Sequence, residues 1–129
     1  MNVCLNYIYT VIRACIARGI SSAGLHPTFS VHHKNPHNEF NLADDLVEPF
    51  RPLADYVVWN NIKKIDTLTS EVKAKLASIV NLQIPIGDEF SPLSLAAAKT
   101  CRSYASYCLN ESSSLSLPAL PSPIEIAAL

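Results

Sequence analysis

Apolar residues recur at three- and four-residue spacing from the start of the chain. Between residues 3 and 23, Cys4, Leu5, Ile8, Val11, Ile12, Cys15, Ile16 and Ile20 fall along one broad stripe, with Arg13 and Arg18 toward its edges. The pattern predicts an amphipathic helix that enters the core by this stripe and stops near Gly24. Leu25 to Val31, with Pro27 inside it, reads as an extended connector. A second helical pattern follows, in which Leu42, Ala43, Leu46, Val47 and Phe50 share a face. Pro49 and Pro52 lie inside it, so the helix is expected to kink or restart there. The restarted piece is expected to carry Leu53, Tyr56, Val57 and Trp59 into the core.

Thr67 or Thr69 can cap the next helix, SEVKAKLASIV. Leu82 to Ile86 is a short apolar run broken by Pro85, which suits an edge strand, and Gly87 turns it back. Ser91 then reads as the cap of a helix with Pro92 at its first position, continuing to about Asn110. The remainder, ESSSLSLPALPSPIEIAAL, combines serine and proline with little charge and reads as an extended, partly ordered strap. The predicted fold is therefore mainly α: a bundle of about four or five helices with at most a short β-hairpin near residues 82 to 90. Residues 1–110 form the helical lobe and 111–129 the tail.

Composition narrows this picture. A chain of 129 residues supports one core but not two lobes with separate cores. Hydrophobic residues at 49% with only 3 glycines favour an ordered domain. The formal charge of −1 excludes a general basic footprint for nucleic acid, so any DNA contact must rest on local cations. Cys4, Cys15, Cys101 and Cys108 contain no C-x-x-C pair. On one helix Cys101 and Cys108 stand two turns apart, roughly 10 Å, too far for a disulfide, and all four read as reduced thiols. Arg13 and Arg18 interrupt the first apolar run, which reads as too short and too charged to span a membrane. The expected setting is soluble and cytoplasmic.

The candidate chemistry is concentrated in residues 32–52, HHKNPHNEFNLADDLVEPFRP. His32, His33 and His37 precede a helix carrying Asp44, Asp45 and Glu48, and Glu48 lies one turn from both aspartates. Imidazole nitrogen and carboxylate oxygen from neighbouring segments suit a divalent ion such as Mn²⁺ or Mg²⁺. Acids in the first turns of a helix also complement its macrodipole, so spacing alone leaves a metal site and a solvated helix start both open. The same acids spell D-D-x-x-E, the magnesium-diphosphate signature of isoprenoid synthases, but that fold needs a second metal motif and a much larger bundle.

The run LNYIYTVIRACIARGISSAGLHPTFSVHHKNPHNEFNLADDLVEPFRPLADYVV resembles the core of the CRISPR adaptation integrase family, Cas-one, and its type II branch most of all. In that family a helix opening LNYGY leads through a GLHP or GLDP turn to a histidine, followed by a helix reading LADDLMEPFRP. The later pieces LTSEVKAKLASIVN and GDEFSPLS and the serine-proline tail follow the same order. The resemblance implies a Mn- or Mg-dependent DNA endonuclease and integrase for spacer acquisition. It joins 3′-hydroxyl ends of a captured DNA to the CRISPR repeat, as a homodimer working with a Cas-two dimer. Carried over by motif, the metal-binding and catalytic residues are His33 and Glu48, with Asp45 and Asp44 as supporting acids and His32 as a weaker ligand. Arg13, Lys34 and Arg51 are the candidate DNA-binding cations.

Two departures qualify what is expected. The family's first metal-ligand glutamate lies on a helix before LNYGY, and no glutamate precedes Glu39 here. Ile8 stands where LNYGY has glycine, and Ser30 where a glycine is common near the site. The chain is therefore expected to be a C-terminal piece that is weak or inactive alone. The alternative is a non-catalytic helical interaction module derived from the same lobe.

Overall fold

The computed structural model describes residues 2–25, 41–61, 68–109 and 115–121. It is mainly helical with one short antiparallel hairpin, as the sequence predicts. The elements run α1 (Asn2–Ser22), α2 (Asn41–Val47), a 3-10 turn (Glu48–Phe50), α3 (Arg51–Asn61) and α4 (Ser70–Ala77). A second 3-10 turn (Ser78–Asn81), β1 (Gln83–Ile86), β2 (Glu89–Pro92) and α5 (Leu93–Cys108) follow.

The first helix is the axis of the fold. Cys4, Ile8, Ile12, Cys15, Ile16 and Ile20 are all buried along one side of α1, with Leu5 and Val11 half-buried at its flanks. Around that stripe pack α2, α3, α4 and α5. The helix is long and apolar enough to cross a membrane by length and composition, contrary to the reading from its arginines. The same side chains fill this core, however, and a stripe committed to protein contacts needs no lipid to bury it. Gly24 ends α1 in the left-handed region, φ +76°. The amide of Leu25 donates to Ile20 O at 3.1 Å and that of Gly24 to Ser21 O at 3.2 Å, the pairing of a Schellman cap.

Small residues bring α5 close to α1. Leu93, Ala96, Ala97, Thr100, Cys101 and Tyr104 are its buried positions, at helical spacing. Opposite them, a Cβ on Gly19 of α1 would stand 2.8 Å from Cys101 Sγ, so any side chain there must displace the thiol. Burial pushes the Cys101 thiol up to about 12. Cys4, Cys15 and Cys101 are buried, Cys108 is exposed, and none of the four is in a disulfide.

The prolines act as expected at the α2–α3 junction. Pro49 opens the 3-10 turn and α3 restarts at Arg51. Phe50, fully buried, fixes the junction against the core. From Phe50 the buried side chains are Leu53, Ala54, Val57 and Val58, while Tyr56 and Trp59 are 41% and 59% exposed. The expectation that Tyr56 and Trp59 enter the core is corrected here. Steps of three, four, seven and eight from Phe50 face α1, and these two aromatics lie off that stripe. With Leu5, Pro52 and Asp55 they line an open groove outside the core.

Thr69 caps α4, its hydroxyl accepting from the amide of Val72 at 3.2 Å. Gly87, at φ +61°, turns β1 into β2, with Ile84 opposite Ser91 and Ile86 opposite Glu89. Ser91 does not cap α5 as expected: it is paired in the hairpin, and Pro92 occupies the cap position without a side-chain hydrogen bond. Lys99 Nζ instead donates to Ser91 Oγ at 2.7 Å and lies 3.0 Å from Glu89 Oε2. That ties β2 to α5. The described part of the tail crosses the open edge of β1, where the amide of Ala119 donates to Pro85 O at 2.8 Å and Pro118 bridges to Ile86. Ser116 N donates to Ser103 Oγ at 3.0 Å, anchoring the strap on α5.

Candidate metal and phosphate site

The polar edge of α1 and the acidic face of α2 enclose an open cavity of ≈ 220 Å³. From α1 come Tyr9, Thr10 and Arg13; from α2 come Asp44 and Val47; Glu48 and Arg51 complete the wall from the turn and the start of α3. The arrangement follows from helical geometry. Tyr9 and Arg13 are four apart on α1, as Asp44 and Glu48 are across the cavity, so each pair presents one face. The apolar positions of both helices turn the other way into the core.

Each acid on the wall carries its own cation. Arg13 Nε lies 3.1 Å from Asp44 Oδ1 and its Nη2 reaches Oδ2 at 3.5 Å, spanning α1 and α2 with both side chains half-buried. Arg51 Nη1 donates to Glu48 Oε1 at 3.2 Å, a local pair with both side chains about half exposed (50% and 51%). The Arg51 guanidinium also lies over the Tyr9 ring, 5.1 Å from its centroid, and the Tyr9 hydroxyl donates to the carboxylate of Asp55. Burial, followed by the bond to Asp55, raises the Tyr9 pKa. The hydrogen bond from Arg51 to Glu48 strengthens the hold of Arg51 on its proton.

Of the residues singled out from the sequence, the structure brings Arg13, Asp44, Glu48 and Arg51 to one cavity. Asp45 does not line it. Its charge instead acts on Tyr104 of α5, whose pKa, raised first by burial and then by a hydrogen bond with Cys108, reaches about 12. His32, His33, Lys34 and His37 lie outside the described residues. Among the described residues no three histidine, cysteine or acidic side chains stand close enough to hold a metal ion. The donors that are present fit a hard cation in a partial way. Asp44 and Glu48 offer oxygen, and Mg²⁺ commonly takes one or two carboxylates with water and substrate phosphate making up the rest.

Sequence reasoning missed Tyr9 and Asp55. Asp55 had a visible signal, standing four residues after Arg51 and seven after Glu48 on a shared face. Tyr9 lies 46 residues from its hydroxyl's partner, and no local spacing reports that contact.

The model of the CRISPR associated protein Cas1 family matches residues 1–81, the segment that contains every described residue of this cavity. The chain belongs to the Cas1 family. A CRISPR-associated endonuclease Cas1 from Neisseria meningitidis serogroup C (strain 8013) is 39% identical over 89 residues, covering 67% of this chain and 29% of that protein. Another, from Korarchaeum cryptofilum (strain OPF8), is 33% identical over 63 residues, covering 49% of this chain and 18% of its own length. The chain thus matches less than a third of the length of either Cas1 relative. The similarity runs through α1, α2 and α3, the elements that build the cavity.

Proposed function

We propose that this chain forms part of the metal-dependent active site of a CRISPR adaptation integrase, with Glu48 and His33 holding Mn²⁺ or Mg²⁺ and Asp44 and Asp45 in support. The observation that carries this reading is the position of Glu48: it stands on a cavity wall with a second carboxylate and two arginines, within the stretch that matches the Cas1 family. A bound divalent ion supplies charge neutralisation at a phosphodiester and lowers the pKa of an attacking 3′-hydroxyl. The chain's own residues bind and orient. Arg13 and Arg51 set positive charge on the wall for the phosphate backbone, and Lys34 adds charge beside His33. The local placement of Arg13 and Arg51 on one wall supports a DNA-binding role for a chain whose net charge is −1.

The DNA substrates are the captured fragment and the CRISPR repeat, and the assembly is a homodimer of the full-length protein with a Cas-two dimer, in the cytoplasm. The family's remaining ligand, a glutamate on an earlier helix, has no counterpart among residues 1–38. Strand transfer by this chain alone is therefore expected to be absent. A Mn²⁺ titration followed by electron paramagnetic resonance tests the reading: the wild-type chain is expected to bind and His33→Ala to bind at least about 10-fold more weakly. Metal-dependent strand transfer above that of His33→Ala would show the site to be complete in this chain. A folded chain that takes up no Mn²⁺ would replace the reading with a non-catalytic helical module.

A further inference from the structure

Glu48 occupies an unpromising place for a metal ligand that must be held still. It stands on a 3-10 turn in the cavity wall, half exposed, and its side-chain partner among the described residues is Arg51 three residues on. A local, solvated pair of this kind contributes little by itself, because the long arginine side chain loses rotamer freedom to form it and water screens the attraction. What distinguishes this pair is the platform beneath it. The Tyr9 ring lies under the Arg51 guanidinium, and the ring is held at both ends. Its backbone belongs to the buried helix α1 beside Ile8, and its hydroxyl is fixed on Asp55 of α3. A guanidinium over an aromatic face is attracted by the ring quadrupole, so Arg51 is placed by a ring that two helices hold before it reaches Glu48. It takes Oε1, and Oε2 has no partner among the described residues.

We infer that Tyr9 is a positioning residue for Glu48: anchored on Asp55, it holds Arg51 against one carboxylate oxygen and leaves the other for a divalent cation. The inference rests on the proposed role of Glu48 as a metal ligand. Arg51 is thus an orienting partner of the ligand as well as a cation for phosphate. Groups that orient a ligating carboxylate in this way are the outer half of a metal site. The competing account is that Asp55, Tyr9 and Arg51 only tie α1 to α3 at the surface. The two differ in what happens to Glu48.

The test uses the full chain in two measurements. In the metal-free protein, nitrogen-15 relaxation of the Arg51 side chain is expected to show it ordered in the wild type and mobile in Tyr9→Leu, with Tyr9→Phe between them. In a Mn²⁺ titration, Tyr9→Leu is expected to weaken binding about 10-fold, the lower end of the range for outer partners, and Tyr9→Phe to recover most of the loss by keeping the ring. In an Arg51→Gln background Tyr9→Leu is expected to have no further effect, because the two act in series. An Arg51 side chain equally ordered in wild type and Tyr9→Leu overturns the inference whatever the metal does. A loosened Arg51 with unchanged Mn²⁺ affinity overturns the link to Glu48 while the metal site stands. Glu48→Gln binding Mn²⁺ like the wild type removes the proposed function and this inference with it. Should Tyr9→Leu not fold, Asp55→Ala, which removes the exposed acceptor of the Tyr9 hydroxyl and leaves the core intact, is expected to loosen Arg51 and weaken Mn²⁺ binding about threefold, less than complete loss of the platform.

Discussion

Phe50→Ala is expected to destabilise the fold by about 3–5 kcal/mol, the range for removing a large buried aromatic side chain. Phe50 is fully buried and is the largest such side chain among the described residues. Two terms add in that figure: the lost transfer of the ring out of water, and the cavity left because the surroundings cannot fully collapse. Collapse is hindered here by position. Phe50 ends the 3-10 turn that joins α2 to α3, and prolines on both sides of it, Pro49 and Pro52, restrict how that junction can move. Small domains carry only about 5–15 kcal/mol in total, so the variant is expected to be unfolded in part at 37 °C. Urea denaturation checks this, with Phe50→Leu expected to recover more than half of the loss; a cost below about 1 kcal/mol for Phe50→Ala would show that the junction repacks freely. The same side chain matters for the site, because Glu48 and Arg51 flank it in the chain.

The apolar periodicity told most about α1, where a single stripe runs unbroken for more than four turns and ends at a glycine. It told less about α3. There the aromatic character of Tyr56 and Trp59 suggests burial that their register does not support, and the smaller Ala54 and Val58 are the residues that face the core. Size and hydrophobicity measure how much a side chain gains by burial, but the backbone phase decides which side chains are offered to the core. The hairpin was legible from Pro85 and Gly87, while the role of Ser91 was not. A serine before Pro-Leu looks like a helix cap locally, and only the pairing with Ile84 across the hairpin assigns it to a strand.

The cavity divides in the same way. Glu48 with Arg51, and Asp44 with Glu48, are neighbours at helical spacing and follow from local sequence. Arg13 with Asp44 and Tyr9 with Asp55 are 31 and 46 residues apart and follow only once α1 lies against α2 and α3. Asp44 and Asp45 looked equivalent in sequence, each one turn from Glu48. Adjacent residues on a helix diverge by about 100°, so Asp44 faces the α1 edge while the charge of Asp45 acts on Tyr104 of α5.

Glu48→Gln and Asp44→Asn are expected to separate the two acids of the cavity by what each loses. Glutamine keeps the shape of glutamate and an oxygen that accepts from Arg51, so the turn is undisturbed, and the local, half-exposed pair it weakens is worth only about 0.3–0.5 kcal/mol. What disappears is an anionic oxygen donor, and Mn²⁺ binding is expected to fall by at least about 100-fold, beyond the cost of losing an outer partner. Asp44→Asn removes the carboxylate that neutralises Arg13 across the α1–α2 seam, where both side chains are less exposed, 38% and 26%. Its cost is expected to be about 1–2 kcal/mol in stability, between the values for exposed and buried pairs, with Mn²⁺ affinity lowered less than about 10-fold, as for a supporting group. Thermal unfolding and Mn²⁺ titration on the same two variants read both quantities. The reverse pattern, Asp44→Asn abolishing binding while Glu48→Gln retains it, would move the ligand from the turn to α2. Arg13 would then become the cation that orients it, since it already lies along both oxygens of Asp44.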